Sequence, residues 1–184
     1  EFSIAVLPFD DLSSDKDSEW FCDGVTEDIL TYLSKIEGLK VISRTSVMQY
    51  KDRKKTIPEI AKELGVAFIV EGSVRKHGND VRITAQLIKA NDEHMWADNY
   101  SGTMDDVFKL QSDVSQQIVQ QLKIKISPEV KEKLETFPTD NIEAYEAYLK
   151  GRSFMDKFDP DNSKIGREFF EKAIELDPNY ADAY

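Results

Sequence analysis

The chain opens on an apolar run, Phe2-Ser-Ile-Ala-Val-Leu-Pro-Phe9, closed by a proline. An uninterrupted apolar stretch of that length predicts a strand buried on both faces, and so a central one. The acidic stretch from Asp10 to Asp23 breaks the pattern. Apolar residues then return at helical spacing in Val25, Ile29, Leu30, Leu33 and Ile36. They predict a helix from Gly24 to Ile36 with Asp23 as N-cap, Glu27 and Asp28 near the positive end of its dipole, and Gly38 as its stop. Leu39 to Ser43 reads as a second short strand. Thr56-Ile-Pro-Glu59 has the form of a capping box and starts a helix that ends at Gly65. Val66 to Val70, continuing towards Arg75, is the next strand and completes a strand-helix-strand crossover.

The period then changes to two. After a turn at His77-Gly-Asn-Asp80, residues Val81, Ile83, Ala85 and Leu87 alternate with Arg82, Thr84 and Gln86. This is the pattern of a half-exposed antiparallel strand. A second turn at Asn91-Asp92-Glu93 leads to a last strand, His94 to Tyr100. Thr103-Met-Asp-Asp106 caps a long helix carrying Val107, Leu110, Val114, Ile118 and Leu122 on one side. Ser127-Pro128 ends it. Helices follow over Asn141 to Met155 and, after the turn Asp159-Pro-Asp-Asn-Ser163, through Leu176. The order β-α-β-α-β-β-β-α followed by helices predicts an α+β fold with a mixed five-stranded sheet. The Phe2 strand should lie inside that sheet, with the Val66 to Tyr100 meander at one side and the Gly24 and Asp105 helices as cover. Residues 1–126 form the expected α+β domain, 127–139 a linker or short helix, and 140–184 a helical segment.

That last segment has a repeat pattern. Gly166, Phe170, Ala173 and Pro178 stand where the second helix of a tetratricopeptide repeat places its small, aromatic, small and proline residues, and Tyr184 falls where the next repeat opens. In Tyr148-Leu-Lys-Gly151 one residue separates a leucine and a glycine that are adjacent in the usual repeat, and the Gly151 to Gly166 spacing is longer than usual. The sequence is expected to be a piece of a longer chain. One repeat cannot bury its own apolar face, so Phe169, Phe170, Ile174, Tyr180 and Tyr184 are the candidate interaction surface. The tail should either fold back on the α+β domain or pair with a second copy. Pairing is the expectation, because the charged stretch from Glu129 to Pro138 lets the tail swing away.

Composition narrows the chemistry. Of 184 residues, 40% are apolar and 32% charged, and the formal net charge is −11. Such a field disfavours DNA or anionic lipid as a general partner. No apolar run spans a bilayer. Cys22, the one cysteine, excludes an internal disulfide and reads as a small, partly buried thiol. A calcium loop started at Asp15 meets Trp20 and Thr26 where glycine and glutamate are needed, and one started at Asp159 meets Lys164 and Phe170. His77 and His94 have no metal-ligand spacing to Cys22 or to each other. Phosphate-cradling glycine loops and a nucleophile elbow are missing. No catalytic residue, cofactor or metal ligand is therefore assigned. Arg44, Lys51, Arg53, Lys54 and Lys55 form one basic patch that could touch RNA or phosphate. Phe9, Phe21, Phe68, Trp96 and Tyr100 read as core, with the Trp96 indole N–H bonded to the sheet edge.

Ile4-Ala-Val-Leu-Pro-Phe9, Phe21-Cys-Asp-Gly-Val-Thr-Glu-Asp28, Val41-Ile-Ser-Arg-Thr-Ser46, Ala61-Lys-Glu-Leu-Gly65, Val70-Glu-Gly-Ser-Val-Arg75, Val81 to Ile88 and Met95-Trp-Ala-Asp98 follow one another in the order of a known module. The first 126 residues resemble the TolB-amino-terminal-like (FlgO-like) domain found ahead of tetratricopeptide repeats in bacterial signalling proteins. The resemblance implies a sensory or adaptor region without a catalytic site. In that family it stands behind a winged-helix DNA-binding domain and membrane span, as in CadC-like regulators, or behind a nucleotide cyclase or kinase. Three functions follow as expectations: a scaffold binding a protein or peptide through its repeat helices, with self-association possible; a small-ligand or peptide receptor regulating an upstream effector; and an RNA-binding module. The compartment would be periplasmic, on a membrane-anchored protein, or cytoplasmic. DNA would not be bound through this region, and any membrane link would be an upstream anchor.

Overall fold

The computed structural model describes residues 2–14, 18–52, 54–127, 136–157 and 159–184. Its sheet runs in the order β3-β1-β4-β5-β6. The strands are β1 (Phe2–Val6), β2 (Asp10–Asp11), β3 (Leu39–Val41), β4 (Phe68–His77), β5 (Asp80–Lys89) and β6 (His94–Thr103). β1 pairs in parallel with both β3 and β4, Ile4 lying opposite Val41 on one side and Phe68 on the other. It is interior, as the double-faced apolar run predicts. The β4-β5-β6 meander is antiparallel. Crossover helices demand the parallel half of the sheet and tight turns allow the antiparallel half.

Both faces of β1 are used. Ile4 and Val6 point into a large cluster with Phe21, Val25, Ile29 and Leu33 of α1 (Glu19–Ser34) and Val107, Val114 and Ile118 of α4 (Val107–Gln121). Ala5 and Leu7 point the other way, into a smaller cluster with Val47 of α2 (Arg44–Met48) and Ile60 and Ala61 of α3 (Ile57–Leu64). The Thr56–Glu59 capping box starts α3, and Gly65 at φ 63° ends it in the left-handed conformation that glycine tolerates best. Val81, Ile83, Ala85 and Leu87 are buried, as their alternation predicts.

The structure departs from the sequence reading in several places. The sheet has a sixth strand: β2, two exposed aspartates, pairs in parallel with Ser73 and Val74 of β4. No hydrophobic period can signal so short a strand. It follows Phe9, whose ring packs on Gly72; a Cβ there would come within 2.8 Å of the ring and 2.2 Å of the Thr84 carbonyl oxygen. α1 begins at Glu19 after Ser18, and Asp23, the expected N-cap, lies inside the helix. Burial of Phe21 and Cys22 against the sheet carries the helix back by more than a turn. Residues 44–48 form a short helix where none was expected. Phe9 and Phe21 are core, but Phe68, Trp96 and Tyr100 are only half-buried at its margin. The Cys22 thiol is buried and donates to the Phe9 carbonyl oxygen at 3.2 Å. Burial, with Asp23 and Asp11 nearby, pushes its ionisation far above the ordinary thiol range.

Two further helices, α5 (Ile142–Met155) and α6 (Pro160–Leu176), form an antiparallel hairpin. Asn141 caps α5 by accepting from the Ala144 amide at 3.1 Å, and Asp159 precedes Pro160 at the start of α6. Most of the linker segment expected at 127–139 lies outside the described residues.

Candidate functional site

Helix α5 puts Tyr145, Tyr148, Leu149 and Arg152 on one side, at the three- and four-residue spacing of neighbours on a helix surface. Tyr145 and Leu149 belong to the main core beneath α1. The contact is possible because α1 carries glycine at position 24. A Cβ there would lie 2.6 Å from both terminal carbons of Leu149. Burying two side chains of this size contributes about 1.5–3 kcal/mol each.

The polar part of the junction surrounds that contact. The Tyr145 hydroxyl donates to the Asp28 carboxylate in a short hydrogen bond. The Gln111 amide of α4 donates to both, at 2.9 Å to Tyr145 and 3.1 Å to Asp28. Burial pushes the Asp28 carboxyl up to about 6, against the opposing effect of the Tyr145 and Gln111 bonds. One turn away, Arg152 meets Glu27 at 2.6 Å, Glu27 meets Arg44 at 3.2 Å, and Arg44 reaches Asp156 at 2.8 Å. This chain of charges links α1, α2 and α5. Phe108 packs edge-on to Tyr145 with ring centres 4.6 Å apart, and Phe137 stacks on Phe108. Beside Asp28 opens a cleft of about 480 Å³, lined in part by Tyr32, Lys35, Phe108, Gln111 and Phe137.

The predicted surface residues fare unevenly. Phe169 is half-buried and stacks on Phe154. Phe170, also half-buried, lies against Gly151 and Tyr148. Ile174 is half-buried, and Tyr184 is 80% exposed. Tyr180 is corrected: only 1% exposed, it packs inside the hairpin against Tyr148 with Ala144, Ala147, Ala173 and Ala183. Of the two expected fates of the tail, the structure shows the fold-back; pairing with a second copy stays an expectation. α5 lies on its own domain, because Tyr145, Leu149 and Arg152 find complementary groups there. The basic patch does not form a bare face. Arg44 is paired as above, Lys51 meets Glu19 at 2.6 Å and Asp23 at 2.9 Å, and Lys55 meets Glu63 at 2.7 Å. Lys54 is exposed, and Arg53 lies outside the described residues. The sequence does not mark Tyr145, Leu149, Arg152, Gly24, Glu27, Asp28 and Gln111 as one site. The α5 stripe and a glycine inside a helix were the available signals.

A mixed sheet backed by helices therefore carries a helical tail clamped to α1 through Tyr145, Leu149 and Arg152. Residues 1–106 match the second domain of HilA/YgeH-like transcriptional regulators, and the chain belongs to that family. Over 183 residues it is 39% identical to a protein of Rhizobium meliloti (strain 1021) provisionally named adenylate cyclase 3. That match takes in 99% of this chain but 31% of the relative, so the chain spans about a third of the relative's length. Among solved structures, TolB from Acinetobacter baumannii aligns with 66% of this chain and 28% of its own, at 14% identity and a TM-score of 0.49. Lipoprotein GNA1162 from Neisseria meningitidis aligns with 69% of this chain and 100% of its own, at 19% identity and a TM-score of 0.48.

Proposed function

We propose that this chain is a non-enzymatic relay region of a larger bacterial signalling protein. Its α+β domain holds a repeat-type helical segment in a fixed orientation for a protein or peptide partner. The observation that carries the reading is the docking of α5 on α1, where Leu149 fills the space above Gly24 and Tyr145 bonds Asp28. A tail held this way transmits a load or a displacement to the sheet domain, which a freely jointed tail cannot do. A tetratricopeptide identity for α5 and α6 is supported by the close Gly151–Gly166 approach beneath Phe170, and by the turn Ala181–Ala183 that opens after Pro178. The family and the relative's name support a transcription regulator or a nucleotide cyclase as the effector. No helix among the described residues is long and apolar enough to cross a membrane. The compartment, periplasmic or cytoplasmic, would be set by the effector and any anchor it carries.

The test uses the longer protein that carries this chain. Leu149→Asp should release α5, seen as faster proteolysis in the 136–157 region, and should change effector output at equal protein abundance. Output that stays unchanged while the tail is demonstrably released refutes the relay. The receptor reading retains one specific support, the cleft beside Asp28 with Tyr32, Lys35 and Gln111 on its walls. Pairing of Arg44, Lys51 and Lys55 with carboxylates weakens the RNA reading.

A further inference from the structure

The face of the β4-β5-β6 meander turned away from α1 and α4 carries polar side chains: Glu71, Ser73 and Arg75 on β4, Arg82, Thr84 and Gln86 on β5, Asn99 and Ser101 on β6. Glu71 pairs with Gln86, and Thr84 with Asn99. At the far end the pairing rule breaks. Arg75 and Arg82 stand directly opposite each other across the two strands, and Ser101 stands opposite Arg82. Like charges directly opposite on an antiparallel pair destabilise it. Both arginines are exposed, and among the described residues neither has a carboxylate within ion-pair distance.

The two arginines border a concavity of about 280 Å³ that is also lined by His77, Asp80, Val81, Ser101 and Gly102. Arg82 donates from Nε to the Ser101 hydroxyl at 3.2 Å, which steadies its guanidinium. His77 shares a hydrogen bond with the Ser14 hydroxyl at 3.0 Å through Nδ1, which orients its ring. Asp80 sits at the rim opposite His77 and reaches neither arginine.

We propose that Arg75 and Arg82 form a binding site for a phosphoryl group, a phosphomonoester dianion held between the two guanidinium forks. Charge selects this class. Two cations bordering one concavity are neutralised by a dianion, whereas a carboxylate cancels one of them. Arginine's planar fork matches the oxygens of a phosphoryl group in bidentate fashion. The like-charge pair, unfavourable when empty, becomes favourable when an anion bridges it. This site is independent of the α5 junction and of the relay assigned to it.

The test is a titration of the chain with inorganic phosphate in a phosphate-free buffer at constant ionic strength, followed by amide and arginine side-chain NMR shifts. Shifts should cluster at Arg75, His77, Arg82 and Ser101 and should saturate. Acetate at matched ionic strength should bind at least tenfold more weakly. Arg75→Gln and Arg82→Gln should each weaken phosphate at least tenfold while leaving the thermal midpoint without phosphate within a few degrees, because both side chains are exposed. Asp80→Asn should tighten binding, and Lys54→Gln should change nothing. Vesicles of phosphatidylcholine with and without phosphatidic acid separate a lipid-borne phosphoryl group from a soluble one. The proposal is overturned if shifts spread over the basic residues generally, if acetate matches phosphate, or if both arginine variants bind phosphate as the native chain does.

Discussion

Replacing Tyr145 with phenylalanine removes one oxygen from the place where α1, α4 and α5 meet, and its effect should depend on pH. The ring of Tyr145 packs on Phe108 and is kept by the substitution, so the change isolates the hydroxyl. That hydroxyl donates to Asp28 and accepts from Gln111. Losing it leaves a crowded carboxylate short of a donor, at a cost of about 1–3 kcal/mol.

The sign of the pH effect follows from Asp28. Burial raises its folded-state carboxyl to about 6, above the ordinary 3.8. Protonation therefore favours the folded chain. The associated stability is fully present below about pH 4 and is lost as pH rises through about 6. The shift corresponds to roughly 3 kcal/mol at most, and partial exposure of the residue brings it to about 1–3 kcal/mol. The Tyr145 bond holds this carboxyl down, so Tyr145→Phe should raise it further and move the loss to higher pH. Urea unfolding should show the variant destabilised more at pH 8, where Asp28 is charged, than at pH 4.5, where it is neutral. In an Asp28→Asn background the pH dependence of the difference should vanish. Equal destabilisation at both pH values, to within about 0.5 kcal/mol, or a pH dependence that survives Asp28→Asn, refutes the reasoning.

Two glycines should answer alanine differently. Gly24→Ala gains about 1 kcal/mol of helix propensity but drives a methyl into the Leu149 terminus, 2.6 Å away, costing about 1–3 kcal/mol. In a Leu149→Ala background the same substitution should stabilise by about 0.5–1 kcal/mol, and a four-protein denaturation cycle reads the reversal. Gly72→Ala meets the Thr84 carbonyl oxygen at 2.2 Å, a backbone atom that cannot rotate away, and should cost about 3 kcal/mol. Hydrogen exchange should place that damage at the β4–β5 pairing and Phe9.

Five of the six described strands are legible because they carry an alternating or apolar pattern between turn residues, and the solid apolar run of β1 places it inside the sheet. The start of α1 was not legible. A glycine in a helix interior costs about 1 kcal/mol relative to alanine, so Gly24 reads as an end, and only the arrival of Leu149 from α5 explains it as a middle. β2 has two residues and both are charged, which hides it from any hydrophobic pattern. The junction could not be assembled from sequence because its polar partners are remote along the chain. Gln111 lies 83 residues from Asp28, Tyr145 lies 117 from it, and Arg152 lies 125 from Glu27. Tyr180 is buried although a truncated repeat predicts a bare ring there. The alanines around it let the hairpin close tightly enough to cover its ring.

Cys22 turns this architecture into something that can be timed. As the chain's one thiol, it sits on the buried face of α1, bonded to the Phe9 carbonyl and held in its unreactive protonated form. An alkylating reagent can reach it only when α1 lifts from the sheet. The rate of labelling therefore counts openings of the helix to which the tail is fastened, without any engineered probe. Loosening the far end of that fastening at Arg152 would be registered at a sulfur on the opposite side of the helix.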